Sequence, residues 1–157
     1  MSENHDWVAF VREFQEKFEN PKADMAELIR HRLMLVEEEF SELKEAAETV
    51  AKMYENGIEN TEEFNAQNVE IIDALGDLCV VEIGMANLLG MDINEAMHRI
   101  YESNMSKLGE DGKPVYYANG KVAKGPNYFK PKLDDLVDCK KGAEFAEKLR
   151  KAHKDNE

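Results

Sequence analysis

The sequence is poor in cysteine, in basic relative to acidic charge, and in long apolar runs. Its two cysteines, Cys79 in an apolar helical run and Cys139 near the C-terminus, argue against a disulfide framework or a thiolate metal site, and point to reduced thiols. Lys and Arg number 20 against 33 Asp and Glu, a net charge of −13. Non-specific binding to nucleic acid or an anionic membrane rests on clustered cations, so neither partner is expected. A polyanionic substrate would need metal ions or a local basic patch. No apolar run reaches the ~18 to 20 residues of a membrane span. The opening MSENHDWVAFVREF has neither the basic start nor the apolar core of a signal peptide, and a cytoplasmic location is expected. No repeat or linker divides the chain, and 157 residues make one domain with a sizeable core.

What the chain has in quantity is amphipathic helix. Trp7, Phe10, Val11, Phe14 and Phe18 recur at helical spacing between Asp6 and Phe18, ahead of Asn20-Pro21, and are expected to plug a bundle core. A second helix is predicted from about Ala26 to Tyr54, closing near Gly57. Thr61, with Glu62 and Glu63 behind it, suits the start of a third, over about Phe64 to Leu89. From Ile71 that helix is apolar on nearly every side, as at the centre of a bundle or of a dimer. Gly76 and Gly84 within it suggest close approach of another element. Asp92 and Glu95 read as a capping box opening a fourth helix, with Ile93, Met97 and Ile100 as its core stripe running on into Asn104 and Lys107. Beyond Leu108 the composition turns to loop, and Asn119-Gly120 signals a hairpin. A last amphipathic segment, about 142–152, is expected on the outside or against a neighbour. The fold class is therefore all-α: a four-helix-bundle-like core over about 6–108, a loop or β-hairpin flap over about 109–133 and a short terminal helix, in one domain spanning 1–157.

Acids interrupt this pattern. In the second helix Leu28, Ile29, Val36, Phe40, Leu43, Ala47 and Val50 share a stripe, with Glu39 inside it and Glu42 on its edge. Glu37 and Glu38 project to the flanks. Arg32, on the same side two turns earlier, is either one half of a buried Arg–Glu network or a phosphate contact. On the third helix Glu70, Asp73 and Asp77 form a ridge of carboxylates, while Glu82 points almost opposite, as for an intersubunit contact. A carboxylate taken out of water costs several kcal/mol unless paired or bound to metal. If the two helices are antiparallel neighbours, Glu39, Glu42, Glu70, Asp73 and Asp77 converge without His or Cys, a donor set that selects Mg²⁺ or Mn²⁺ over zinc. None of His5, His31, His98 and His153 stands at the Glu-x-x-His spacing of di-iron bundles relative to these acids. Mg²⁺ held this way shares its remaining positions with substrate phosphates, so a phosphate ester or anhydride is the natural substrate. The loop adds Lys113, Lys121, Lys124, Lys130 and Lys132 among Tyr116, Tyr117, Tyr128 and Phe129, a composition suited to gripping phosphates and stacking on a base.

The segment EFSE at Glu39–Glu42, followed by EIIDALGDL, resembles the E-x-x-E, spacer, E-x-x-D pattern of the all-α nucleoside triphosphate pyrophosphohydrolase superfamily, which includes MazG and phosphoribosyl-ATP pyrophosphohydrolase. The tail SNMSKLGEDGKPVYYANGKVAKGPNY looks like the extension of a bacterial or phage branch. The resemblance spans about Trp7 to Leu133. If Asp77 is the pattern's final aspartate, its glutamate partner falls on Ala74, so Glu70 or Asp73 must supply that ligand. The resemblance implies Mg²⁺-dependent hydrolysis of an NTP or dNTP to the monophosphate and pyrophosphate, in a homodimer or homotetramer whose sites form between subunits. Glu39 and Glu42 would be catalytic; Glu39, Glu42, Asp73 and Asp77, with Glu70, would hold metal; Asn104, Lys107, Lys124 and Arg32 would contact phosphate or sugar. The alternatives are a phosphoribosyl-ATP substrate, or a non-catalytic helical regulatory protein that binds nucleotide or metal.

Overall fold

The computed structural model describes residues 5–19 and 23–152. Its helices are α1 (Trp7–Phe18), α2 (Met25–Glu55), α3 (Glu62–Leu88), α4 (Ile93–Met105) and α5 (Cys139–Ala152), with a 3₁₀ turn at Asp134–Leu136. Thr61 Oγ1 accepts from Phe64 N–H at the start of α3, as the sequence predicts. The capping box expected at the start of α4 is half made: Asp92 accepts from Glu95 N–H, while Asp92 N–H donates to Leu136 O. A reciprocal box forms instead at the start of α2, between Asp24 and Glu27. Gly57 and Gly90 close α2 and α3 with positive φ. Asn20, Pro21 and His153 lie outside the described residues.

The scaffold is the antiparallel pair α2–α3. Its buried positions on α2 are Leu28, Arg32, Ala46, Val50 and Met53, a seam of roughly 3.5-residue period in which Glu39 and Glu42 occupy the middle. At one end Val50 and Met53 pack on Phe64 and Ile71, and at the other Leu28 packs on Leu88. Phe40 and Ala47, expected in the apolar stripe, are exposed, because the real seam passes through Ala46 one position away.

Three expectations about the rest of the core are corrected. The aromatics of α1 do not plug it: Trp7, Phe10, Phe14 and Phe18 are all exposed, Phe18 at 71%. The buried face is the neighbouring stripe of Val11 and Gln15. Gln15 Nε2 donates to Gly84 O at 3.0 Å and Asn87 Nδ2 donates to Gln15 Oε1 at 3.2 Å, so α1 docks on α3 through amides as much as through apolar surface. A Cβ at Gly84 would lie 3.0 Å from the Arg32 guanidinium, so this glycine does mark a close approach, whereas none of the described residues comes within 4 Å of a Cβ at Gly76. Second, α5 belongs to the core and α4 does not. Phe145, Ala146 and Leu149 are buried as α5 packs on α1 and α3. Gly90 permits this docking, since a Cβ there would meet Asp138 O at 2.1 Å. Of the expected α4 stripe Met97 is exposed and Ile93 and Ile100 are only half-buried, and α4 packs chiefly on the Asp134–Leu136 turn, held by a bidentate Arg99–Asp135 pair. Periodicity gives both helices a stripe and does not say which stripe finds a partner.

Third, the flap is not a β-hairpin. Gly120 turns the chain with φ +80, but only the single pair Tyr116–Val122 bridges antiparallel, and no strand occurs among the described residues. A two-stranded ribbon with no sheet beside it has little to stabilise it, and Pro114 and Pro126 lack the N–H donors to extend it. No described helix is long and apolar enough to cross a membrane.

Candidate active site

The middle of the α2–α3 seam is where the expected acids meet. The flanking apolar pairs fix the register: Leu28 packs on Leu88, Arg32 lies against Gly84 and Met53 reaches Phe64. Each residue gained on α2 is therefore about one lost on α3, which sets Glu39 level with Asp77, Glu42 level with Asp73–Ala74, and Glu70 one turn farther on, level with Ala46. The electrostatics agree. Partial burial, then the negative charges of Asp77, Glu42, Glu38 and Asp73, push the Glu39 carboxyl above its ordinary value. Glu70 is not among the charges acting on it.

Glu39 is half-buried, whereas Glu42, Glu70, Asp73 and Asp77 are exposed. The expected carboxylate deep in an apolar core is thus a carboxylate at the rim of the seam. Ala74 is 5% exposed, turned into the α2–α3 contact, so a glutamate there would have to leave the packed seam to reach the acids. Asp73, one residue earlier, is open to solvent and acts on Glu39. Glu70 and Asp73 themselves stand at E-x-x-D spacing, a match one turn ahead of Asp77.

The oxygen-only donors and the accumulated negative charge fit a hard divalent cation. One chain does not close a cage around it: among the described residues no three His, Cys, Asp or Glu side chains are near enough together to hold a metal ion. The expected convergence of four or five carboxylates is therefore not reached within the single chain.

The predicted phosphate contacts separate into two places. Arg32 is 4% exposed and ion-paired with buried Glu19, so it sits in a buried Arg–Glu pair, made with Glu19 and not with a glutamate of its own helix, and is not a surface phosphate contact. Asn104, Lys107 and Lys124 do come together. Lys107 Nζ donates to Asn104 Oδ1 at 2.7 Å, Gly125 N–H donates to Lys107 O at 3.0 Å, and the Lys124 ammonium sits 4.5 Å from the Tyr128 ring centroid. These groups lie at the end of α4, which has no extensive packing on α2 or α3, so cations and carboxylates are not joined within one chain. Sequence reasoning missed the buried polar set Gln15, Glu19 and Asn87. Its signal was the stripe Val8, Val11, Gln15, Glu19 beside the aromatic one. Ser103, Ser106 and Gly125, which fasten the loop to α4, carried no local signal.

A family model described as phosphoribosyl-ATP pyrophosphohydrolase matches residues 9–104. That span holds all the seam carboxylates and Asn104, and stops short of Lys107 and Lys124. No curated protein matches the chain. The chain belongs to the phosphoribosyl-ATP pyrophosphohydrolase family, within the all-α MazG-like NTP pyrophosphohydrolase superfamily, and is accordingly a hydrolase acting on phosphoric anhydrides.

Proposed function

We propose that the chain hydrolyses an NTP or dNTP to the monophosphate and pyrophosphate, using Mg²⁺ or Mn²⁺ held by Glu39, Glu42, Asp73 and Asp77, with Glu70 as an outer ligand. The observation that carries this is the crowding of carboxylate charge on half-buried Glu39, an arrangement that costs stability and finds relief in a cation. A divalent ion there would neutralise phosphate oxygens and acidify a bound water. The chain's own groups supply the rest. Glu39 or Glu42 accepts the proton of the attacking water. Lys107 and Lys124 grip the polyphosphate in ground state and transition state alike while the anhydride P–O bond breaks and pyrophosphate leaves. The family model's description favours a second substrate, phosphoribosyl-ATP, which presents the same anhydride to the same groups.

The site is completed by a second copy of the chain. The face of α3 turned away from α2 leaves Val69, Ile72 and Leu75 exposed, Ile72 at 65%, with open space over Gly76 among the described residues. The α1 aromatics add to this unpartnered surface. The chain exposes 11569 Å², against about 8,000 Å² for a compact monomer of its 18.0 kDa mass. The difference exceeds the roughly 800 Å² per partner of a standard interface. A homodimer or homotetramer covers it and carries one subunit's Asn104–Lys124 cluster toward the carboxylates of the next. Glu82, exposed on α3, would lie at this contact. Pyrophosphate release across all NTPs, dNTPs and phosphoribosyl-ATP, with Mg²⁺ and with Mn²⁺, tests the activity. No release from any of them contradicts it. Light scattering tests the assembly: Ile72→Asp should give monomers without turnover, and a fully active wild-type monomer would rule the shared site out.

A further inference from the structure

Gly125 is the point where the loop after Leu108 meets the end of α4 backbone to backbone. Its N–H donates to Lys107 O, and a Cβ built on it would lie 2.1 Å from Leu108 O and 2.7 Å from Lys107 O. Both obstacles are main-chain carbonyls at a helix terminus, so neither can step aside as the tip of a side chain would. The segment behind Gly125 is fastened to the same helix end. Ser103 Oγ donates to Phe129 O at 2.8 Å, and Phe129 N–H donates to Ser106 Oγ at 3.1 Å. Ser103 is itself buried. Tyr128 N–H donates to Gly125 O, which fixes the ring on which the Lys124 ammonium rests. Two lysines far apart in sequence are thus held at one helix end before any substrate arrives. Neither Lys107 nor Lys124 is ion-paired to a carboxylate among the described residues, in a chain of net charge −13 where such partners are plentiful.

We infer that Gly125 is a positioning residue: its backbone contact with the end of α4 sets Lys107, Lys124 and Tyr128 as a preformed two-cation clamp for the polyphosphate of the substrate. The inference rests on the nucleotide-hydrolase reading for what the clamp grips, and on the contacts above for how it is built. Two ammonium groups ordered in advance lose less freedom on binding than two free lysines, which is the advantage the glycine provides. A methyl group at residue 125 pushes the loop off the carbonyls and separates the pair.

The test is a set of full-length variants read by calorimetric titration with inorganic tripolyphosphate and by steady-state kinetics. Gly125→Ala should weaken tripolyphosphate binding about tenfold and raise KM by a similar factor with kcat little changed, the pattern of lost ground-state grip. Because the glycine acts through the two lysines, adding Gly125→Ala to the Lys107→Ala, Lys124→Ala pair should cost no more than that pair alone. Tyr128→Leu, which leaves the α4 carbonyls untouched, should reproduce a milder form of the same loss, and Tyr128→Phe should restore it; this pair decides the matter if Gly125→Ala fails to fold. Wild-type affinity in a folded Gly125→Ala protein, or a further loss when Gly125→Ala is added to the pair of lysine changes, would overturn the clamp. Tripolyphosphate binding that depends on Gly125 in a protein that releases no pyrophosphate would uphold the clamp and overturn the functional reading instead.

Discussion

The two ends of the α2–α3 seam and its middle share one helical geometry and do opposite things. At the ends Leu28 meets Leu88, and Val50 and Met53 meet Phe64; burying such side chains stabilises the pair by about 1.5 to 3 kcal/mol each. In the middle the equivalent positions carry Glu39 and Glu42 opposite Asp73 and Asp77, and the outcome is a carboxyl driven above its ordinary pKa. Apolar ends clamp the helices so that mutually repelling acids stay together. The same seam therefore separates holding the fold from doing the chemistry, and single substitutions should separate them too.

The largest effect expected is on turnover. Glu39→Gln keeps shape and loses charge, and should lower kcat by at least ~10²-fold while far-UV circular dichroism stays that of the wild type. At the end of the seam the pattern inverts. Leu88, 0% exposed, should cost about 2 to 5 kcal/mol when changed to Ala, read by urea unfolding, with activity per folded molecule retained. Similar stability losses from both variants would erase the distinction between middle and end.

The clamp lysines come next. Lys107→Ala and Lys124→Ala should each raise KM roughly tenfold, near the lower bound for a charged hydrogen bond, with metal binding in the absence of nucleotide unaltered. Unchanged kinetics for both would make them ordinary solvated loop residues.

The smallest effect sharpens the comparison in the metal-free protein. The folded state holds Glu39's proton more tightly than the unfolded chain does, because its pKa is raised. The ionised group thus opposes folding at neutral pH, and the opposition fades as pH falls through the raised value toward the ordinary carboxylate range. Glu39→Gln should stabilise the metal-free protein at neutral pH by of order 0.5 kcal/mol, the scale of like-charge neighbours on helices. The gain should shrink as the solution is acidified, which melting temperatures across pH will show.

Much of this was legible in the chain because it is local. Caps at Thr61 and Asp92, the glycines that end α2 and α3, and the helical phase of Glu39, Asp73 and Asp77 depend on residues within a turn or two of one another. What was not legible depends on distant partners. The aromatics of α1 and the buried face beside them are equally periodic, and only the fit of Gln15 to Gly84 and Asn87 selects the polar stripe. The stripe of α5 found α1 and α3 while that of α4 did not, a choice made by the Gly90–Asp138 contact. Arg32 was equally suited to a phosphate or a carboxylate until Glu19, in the linker before α2, took it. Gly125 looked like any loop glycine, since its reason lies in Lys107 and Leu108.

The central claim is that the middle of the seam holds the metal, and it stands on helix phase. Titration of the nucleotide-free protein with Mn²⁺, followed by electron paramagnetic resonance, tests it in the wild type, Glu39→Gln and Glu37→Gln. The account predicts that Glu39→Gln loses most of the Mn²⁺ affinity and that Glu37→Gln, whose carboxylate projects to the flank, binds as the wild type does. Undiminished binding in Glu39→Gln, or an equal loss in Glu37→Gln, would contradict it.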